Sequence, residues 1–246
     1  MAARIATPSK TQSLCLVALS ADALARLKPH LKEVFFEAGV VLWEVGQPQR
    51  HVYFPISGLI SVTLPMQDGT AIEVAVVGRE GAAGDFDGVQ KEAATRATVL
   101  IGGAFAQIAT GKLVEQARDS RELERMLNLC RGWLLMQAQQ LAACNATHAA
   151  DKRLCRWLAS CRQRVDDGRI HATQEMIAAL IGLRRPTVTL MAQALHEQGL
   201  IEYVRGKITV RDAQGLEDAA CECCANLGRA YWPATRLAAP ATKVEG

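Results

Sequence analysis

Residues 173–211, TQEMIAALIGLRRPTVTLMAQALHEQGLIEYVRGKITVR, constrain this chain more than any other stretch. Met176, Ile177, Leu180 and Ile181 repeat at helical spacing behind Thr173, whose hydroxyl suits an N-cap, and Glu175 suits the positive end of that first turn. Gly182 stands where the chain must turn, because glycine takes positive φ at little cost. A second helix is expected to begin near Arg185-Pro186, since proline is tolerated at the first helical position. Val188, Met191, Ala192 and Leu195 then form its inward stripe. Gly199 ends it, and strands Leu200–Val204 and Lys207–Arg211 flank an Arg205-Gly206 tip. Two helices, a tight turn and a basic hairpin make a helix-turn-helix with a wing.

That layout points to double-stranded DNA as a partner. The candidate DNA-binding residues are Thr173, Arg184, Arg185, Pro186, Thr187, Thr189, Gln193, Arg205 and Lys207. An arginine can bond a guanine edge or a phosphate with two parallel hydrogen bonds, and a threonine can reach a phosphate or a thymine methyl. A two-helix piece of a core with a solvated polar face would also carry polar residues on one side. The order of helix, glycine turn, Arg-Arg-Pro-Thr helix and basic hairpin is more specific than that.

Charge distribution agrees with the location. The whole chain carries only +3, yet residues 148–212 hold 11 Lys/Arg against 7 Asp/Glu, while residues 1–120 hold 11 against 12. The basic excess lies in the suspected reading part. No apolar run is long enough to span a bilayer, and Leu14–Ala21 lacks the basic flank of a signal peptide. A cytoplasmic location without membrane association is therefore expected. Eight cysteines show no disulfide framework. Cys221, Cys223 and Cys224 form their one cluster, and no second half of a metal site lies nearby in sequence. They are expected to pack as small hydrophobes, with no metal.

Between Val34 and Ile108 the sequence breaks into short β-type runs, with turn signals at Ala38-Gly39, Gly46-Gln47-Pro48, Ser57-Gly58 and Gln67–Thr70. Arg118–His148 reads as one long helix. Leu123, Leu127, Cys130, Leu134, Gln137, Leu141 and Cys144 recur at spacings of four and three, a heptad seam that predicts a coiled-coil contact between two copies. Met126, Trp133, Met136 and Gln140 form a second stripe that could pack on the strands. Asn145–Asp151 is the expected hinge. Lys152–Val165 opens the next domain, with Arg153, Arg156, Arg162 and Arg164 on a solvated face.

The FxAGxxLWExGxP run from Phe36, the VYFPISGLISV run from Val52 and the helix-turn-helix together resemble the cyclic-AMP receptor protein/FNR (Crp/Fnr) family of bacterial transcription regulators, over about residues 16–222. The resemblance implies an α+β chain. It would carry a cyclic-nucleotide-binding-like sensor β-roll (jelly roll) over 14–117, a dimerisation helix over 118–147, a winged helix-turn-helix over 148–224 and a tail over 225–246. It also implies a homodimer on a palindromic site, RNA polymerase as a further partner, and no enzymatic activity. The effector pocket would be Gly84, Asp85, Phe86, Arg96, Ala97 and Thr98. Ala97 stands where the family places a phosphate-binding hydroxyl, and Asp85 where it places a ribose-binding glutamate. Both departures argue against cyclic AMP, so a different small effector, or none, is expected. Pro186 and Leu190 replace base-reading residues, so the preferred DNA sequence should differ from that of the cyclic-AMP receptor protein. The rival reading is a cyclic-nucleotide receptor acting through protein partners.

Overall fold

A computed structural model describes residues 12–165, 168–204, 206–229 and 232–238. Two short helices, α1 (Leu14–Val17) and α2 (Ala21–Leu27), lead into seven strands. Helix α2 gives way to a 3₁₀ turn over Lys28–His30, because Pro29 has no N–H to continue the ladder.

Strands β1 (Lys32–Phe36), β2 (Val41–Trp43), β3 (His51–Pro55), β4 (Leu59–Pro65), β5 (Ala71–Val77), β6 (Arg96–Ile101) and β7 (Gly103–Ala109) form two antiparallel sheets. Their orders are β1-β7-β3 and β2-β6-β4-β5. Trp43, Tyr53, Ile60, Val77, Val99 and Phe105 fill the space between them. This is the expected β-roll.

Helix α3 (Thr110–Arg118) follows, then the 27-residue α4 (Arg121–Thr147). Ser120 caps α4 by accepting from Leu123 N at 3.3 Å, and Glu122 and Glu124 sit in its first turn. The heptad seam does not face a second copy. Leu123, Leu127, Cys130, Gln137, Leu141 and Cys144 are buried in their own chain, and Leu134 packs on the same cores. Gln137 Oε1 accepts from Val76 N of β5 at 3.1 Å. A pattern at 3.5-residue spacing marks a buried face but not its partner; here the β-roll and α1 cover its first part, and Leu227, Trp232, Cys221 and Cys223 cover Leu141 and Cys144. Asn128, Gly132, Leu135, Gln139, Ala142 and Ala146 form the solvent-facing stripe, with Leu135 59% exposed.

Beyond the hinge come α5 (Ala150–Arg162), β8 (Arg169–His171), α6 (Gln174–Leu180), α7 (Arg185–Glu197), β9 (Ile201–Val204), β10 (Lys207–Val210), α8 (Ala213–Ala219), α9 (Cys223–Asn226) and α10 (Pro233–Ala238). Strand β8 is additional to the expected hairpin and completes a sheet of order β8-β10-β9. The described part of the tail is docked. Trp232 is buried with Trp133, Leu141 and Leu227, and α10 packs on α4.

Helix α5 is not solvated on its arginine face. Arg156 and Arg164 are each only 4% exposed. The Arg164 and Glu80 side chains are fully buried and pair at 2.7 Å, and the Arg164 guanidinium lies 5.4 Å from the Trp232 ring centroid. Leu59, Val76 and Leu100 of the β-roll join Leu154, Trp157 and Leu158 in one core. The β-roll and the winged helix-turn-helix are thus packed together.

Candidate nucleic-acid interface

Local chemistry builds the reading unit as the sequence implies. Thr173 caps α6 by accepting from Met176 N at 3.1 Å. The chain turns at Gly182, with φ +65°. Helix α7 opens at Arg185 with Pro186 in its first turn. Val188, Ala192 and Leu195 are buried and fix the roll of α7 against α6 and β9. The opposite face is therefore turned outward. Arg184, Arg185, Pro186, Thr187, Thr189, Leu190 and Gln193 are all exposed. Neither Arg184 nor Arg185 has an ion-pair partner among the described residues. Two unpaired guanidinium groups at the start of an exposed helix suit a polyanion, which supplies the counter-charge.

Two of the polar candidates are held internally. Thr189 Oγ1 donates to Gln174 Oε1 at 2.6 Å, bridging the two helices of the motif, and Gln193 donates to Glu197 at 3.0 Å. Both would have to exchange these bonds to meet a base. Lys207 is exposed at the start of β10, while Arg205 lies outside the described residues. Leu190 is 69% exposed in the middle of the outward face and was not among the candidates. An apolar side chain there can meet a thymine methyl.

The candidate effector pocket is brought together only in part. Gly84 has φ +143°, and a Cβ would fall 2.7 Å from the His51 carbonyl, so glycine is required there. Asp85 is buried and turned onto its own loop, accepting from Asp87 N at 3.1 Å and Gly88 N at 2.9 Å. Phe86 and Ala97 are buried. Arg96 lies 3.3 Å from Glu44, while Asp87 pairs with Arg131 and Glu80 with Arg164. Arg96 and Thr98 line a hollow of about 180 Å³ whose far wall is Met176, Ala179 and Leu180 of α6. A larger cleft of about 470 Å³ lies between Trp43, Arg50, His51 and Tyr53.

A winged helix-turn-helix is joined through a long helix to a β-roll. A family described as Crp-like helix-turn-helix domain matches residues 152–219. The solved structures similar to the chain carry the same architecture. FixK2 from Bradyrhizobium japonicum superposes with a TM-score of 0.64 at 19% identity, over 78% of this chain and 98% of that one. A Crp/Fnr-family transcriptional regulator from Thermus thermophilus gives 0.62 at 22%, over 77% and 98%. The c-di-GMP responsive global regulator CLP from Xanthomonas campestris gives 0.60 at 16%, over 78% and 99%. No curated protein sequence matches the chain. Residues 152–219 therefore match a Crp-like helix-turn-helix domain, and the chain shares the fold of structures that include a Crp/Fnr-family transcriptional regulator.

Proposed function

We propose that two copies of the chain pair through the exposed stripe of α4 and present both α7 helices to successive major grooves of an inverted repeat. The observation that carries this reading is the outward Arg184-Arg185 at the start of α7, without an ion-pair partner among the described residues. Arg185 reads a base edge and Arg184 a phosphate. Thr187 stands beside them, and Lys207 holds the backbone on the wing side. Two-fold symmetry places the reading helices about one helical turn of DNA apart, roughly 34 Å. The exposed Leu135 supports the α4 stripe as the self-contact, since the seam expected for that role is already covered. RNA polymerase is the partner such a regulator would address from the promoter.

A small effector bound in the β-roll would act through the shared core of sensor and reader. Cyclic AMP is not the ligand this geometry favours. The Asp85 carboxylate is committed to its loop, Arg96 is paired with Glu44, and Ala97 offers no hydroxyl.

Binding-site selection on random duplexes, with and without cyclic AMP, tests the whole reading. A palindromic consensus that is indifferent to the nucleotide is expected. Sequence-blind binding without steep salt dependence would instead favour action through protein partners.

A further inference from the structure

Cys221 and Cys223 lack the second half of a metal site close in sequence, but the fold supplies Cys144 and His148 from the end of α4. Cys144, His148, Cys221 and Cys223 each offer a ligand atom, and all four atoms lie within 4.8 Å of one another. Cys144 Sγ is 3.6 Å from Cys221 Sγ, and Cys223 Sγ is 3.6 Å from His148 Nδ1. A tetrahedral zinc ion with ordinary bond lengths sets its sulfurs about 3.8 Å apart, and sulfur and nitrogen about 3.5 Å apart. Two opposite edges of that tetrahedron are therefore already in place. The close grouping suits one ion, because a polynuclear iron–sulfur cluster divides its ligands among separate irons.

The surroundings supply a second, independent sign. His148 Nε2 lies 3.0 Å from Glu222 Oε1, so Nδ1 is left to ligate while the carboxylate fixes ring and tautomer. Gln140 Nε2 donates to Cys223 Sγ at 3.0 Å and is itself held by Asn226 at 3.3 Å. Three thiolates and one Zn²⁺ carry a net charge of −1. Arg156, buried on α5 with Nε lacking a hydrogen-bond partner, and the neighbouring Arg153 both act electrostatically on the Cys144 sulfur.

We propose that Cys144, His148, Cys221 and Cys223 bind one zinc ion that clamps the end of α4 to α9 across the hinge. On binding, Zn²⁺ takes three Sγ atoms and one Nδ1, and the three thiol protons leave to solvent; no oxidant or reductant is involved. The clamp joins the long helix to the segment that follows the winged domain. Arg153, whose guanidinium feels Cys144 and Cys221, donates to the carbonyl of Ile181 at the turn before α7. On the regulator reading, metal occupancy therefore sets how the reading helix is held.

Cobalt(II) titration of the reduced, metal-free full-length protein tests the site without reference to DNA. One equivalent should bind with thiolate-to-cobalt charge-transfer bands and the strong d–d bands of a tetrahedral ion, and zinc should displace it. Cys144→Ser and Cys221→Ser should abolish stoichiometric binding, and Cys155→Ser should not. His148→Cys should preserve a tetrahedral site. Glu222→Gln, at an exposed carboxylate, should weaken binding about 10–100-fold and stays informative if the cysteine variants fail to fold. Sub-stoichiometric cobalt, octahedral spectra, unchanged affinity in the Glu222→Gln variant, or unchanged bands in the His148→Ala variant would overturn the proposal. Duplex affinity of the metal-free and zinc-loaded forms is measured separately. Equal affinities would leave the site intact and sink only its coupling to α7.

Discussion

Trp157 Nε1, on α5, donates to Glu73 Oε1 of β5 at 2.8 Å, in the interior between the β-roll and the winged helix-turn-helix. Ser61 Oγ donates to the other carboxylate oxygen at 2.5 Å. Both bonds, and the fields of Arg156 and Arg164, favour the charged form, but burial outweighs them and pushes the Glu73 carboxyl up to about 7.

The consequence is a pH dependence of known sign. Below about pH 4.5, the ordinary value for this carboxyl, folded and unfolded chains are both protonated and the contribution is fully present. As pH rises, the unfolded chain releases the proton first while the folded one retains it, so stability falls until about pH 7 and then levels off. The size is on the order of 3 kcal/mol. Glu73→Gln keeps an acceptor for Trp157 and should flatten this segment of the curve. Urea unfolding followed between pH 5 and 8 reads it directly. An unchanged slope in the variant would place the titrating group elsewhere.

A second contact across the same boundary behaves differently. Arg164→Ala leaves the Glu80 carboxylate buried without its cation and should cost about 3–5 kcal/mol. It also removes the guanidinium above Trp232, so the docked tail should loosen. Limited proteolysis near residue 230 should become faster than in the native chain. Equal stability of the two proteins in denaturant titration would show the pair to be dispensable.

Self-association is placed on the outward stripe of α4, and the two faces of that helix give opposite expectations. Leu135→Glu puts a charge on the exposed face. It should leave the fold intact, shift sedimentation from dimer to monomer, and weaken operator binding about 10²–10⁴-fold through loss of the second reading unit. Gln137→Leu removes the acceptor of Val76 N inside the chain. It should cost about 1–3 kcal/mol in stability and leave the dimer unchanged. A dimer that survives the first change and dissociates with the second would return the contact to the Leu123–Cys144 seam.

The reading unit was legible because its signals are local: a cap at Thr173, a positive-φ glycine at 182, a proline in the first turn of α7 and an apolar stripe of fixed period. The β-roll was legible from turn chemistry. What the sequence hid is set by long-range packing. The period of Leu123–Cys144 identifies a buried face, but which surface covers it depends on how the β-roll closes. Arg156 and Arg164 look solvated because nothing near them in sequence shows that Glu73 and Glu80 lie opposite. The partner of Arg96 was hidden likewise, because the register of β2 on β6, shifted by a bulge, brings Glu44 beside it. The ligands of the cysteine cluster are 77 residues apart, and only the docking of α9 on α4 unites them.

Arg185 and Lys207 separate sequence choice from simple attraction. The Arg185 side chain is exposed at the start of α7 with no ion-pair partner among the described residues, so replacing it costs little in the free protein. Arg185→Ala should weaken the selected operator by about 1–3 kcal/mol and broaden base preference at one position of each half-site. Lys207 is placed on the phosphate backbone. Lys207→Ala should weaken all duplexes alike and reduce the slope of log affinity against log salt by about 1 per reading unit. Fluorescence anisotropy on the operator and a scrambled duplex, over a salt series, distinguishes the two effects. Uniform weakening by the arginine change, with base preference intact, would move base reading to Thr187, Leu190 or Gln193 further along the same face.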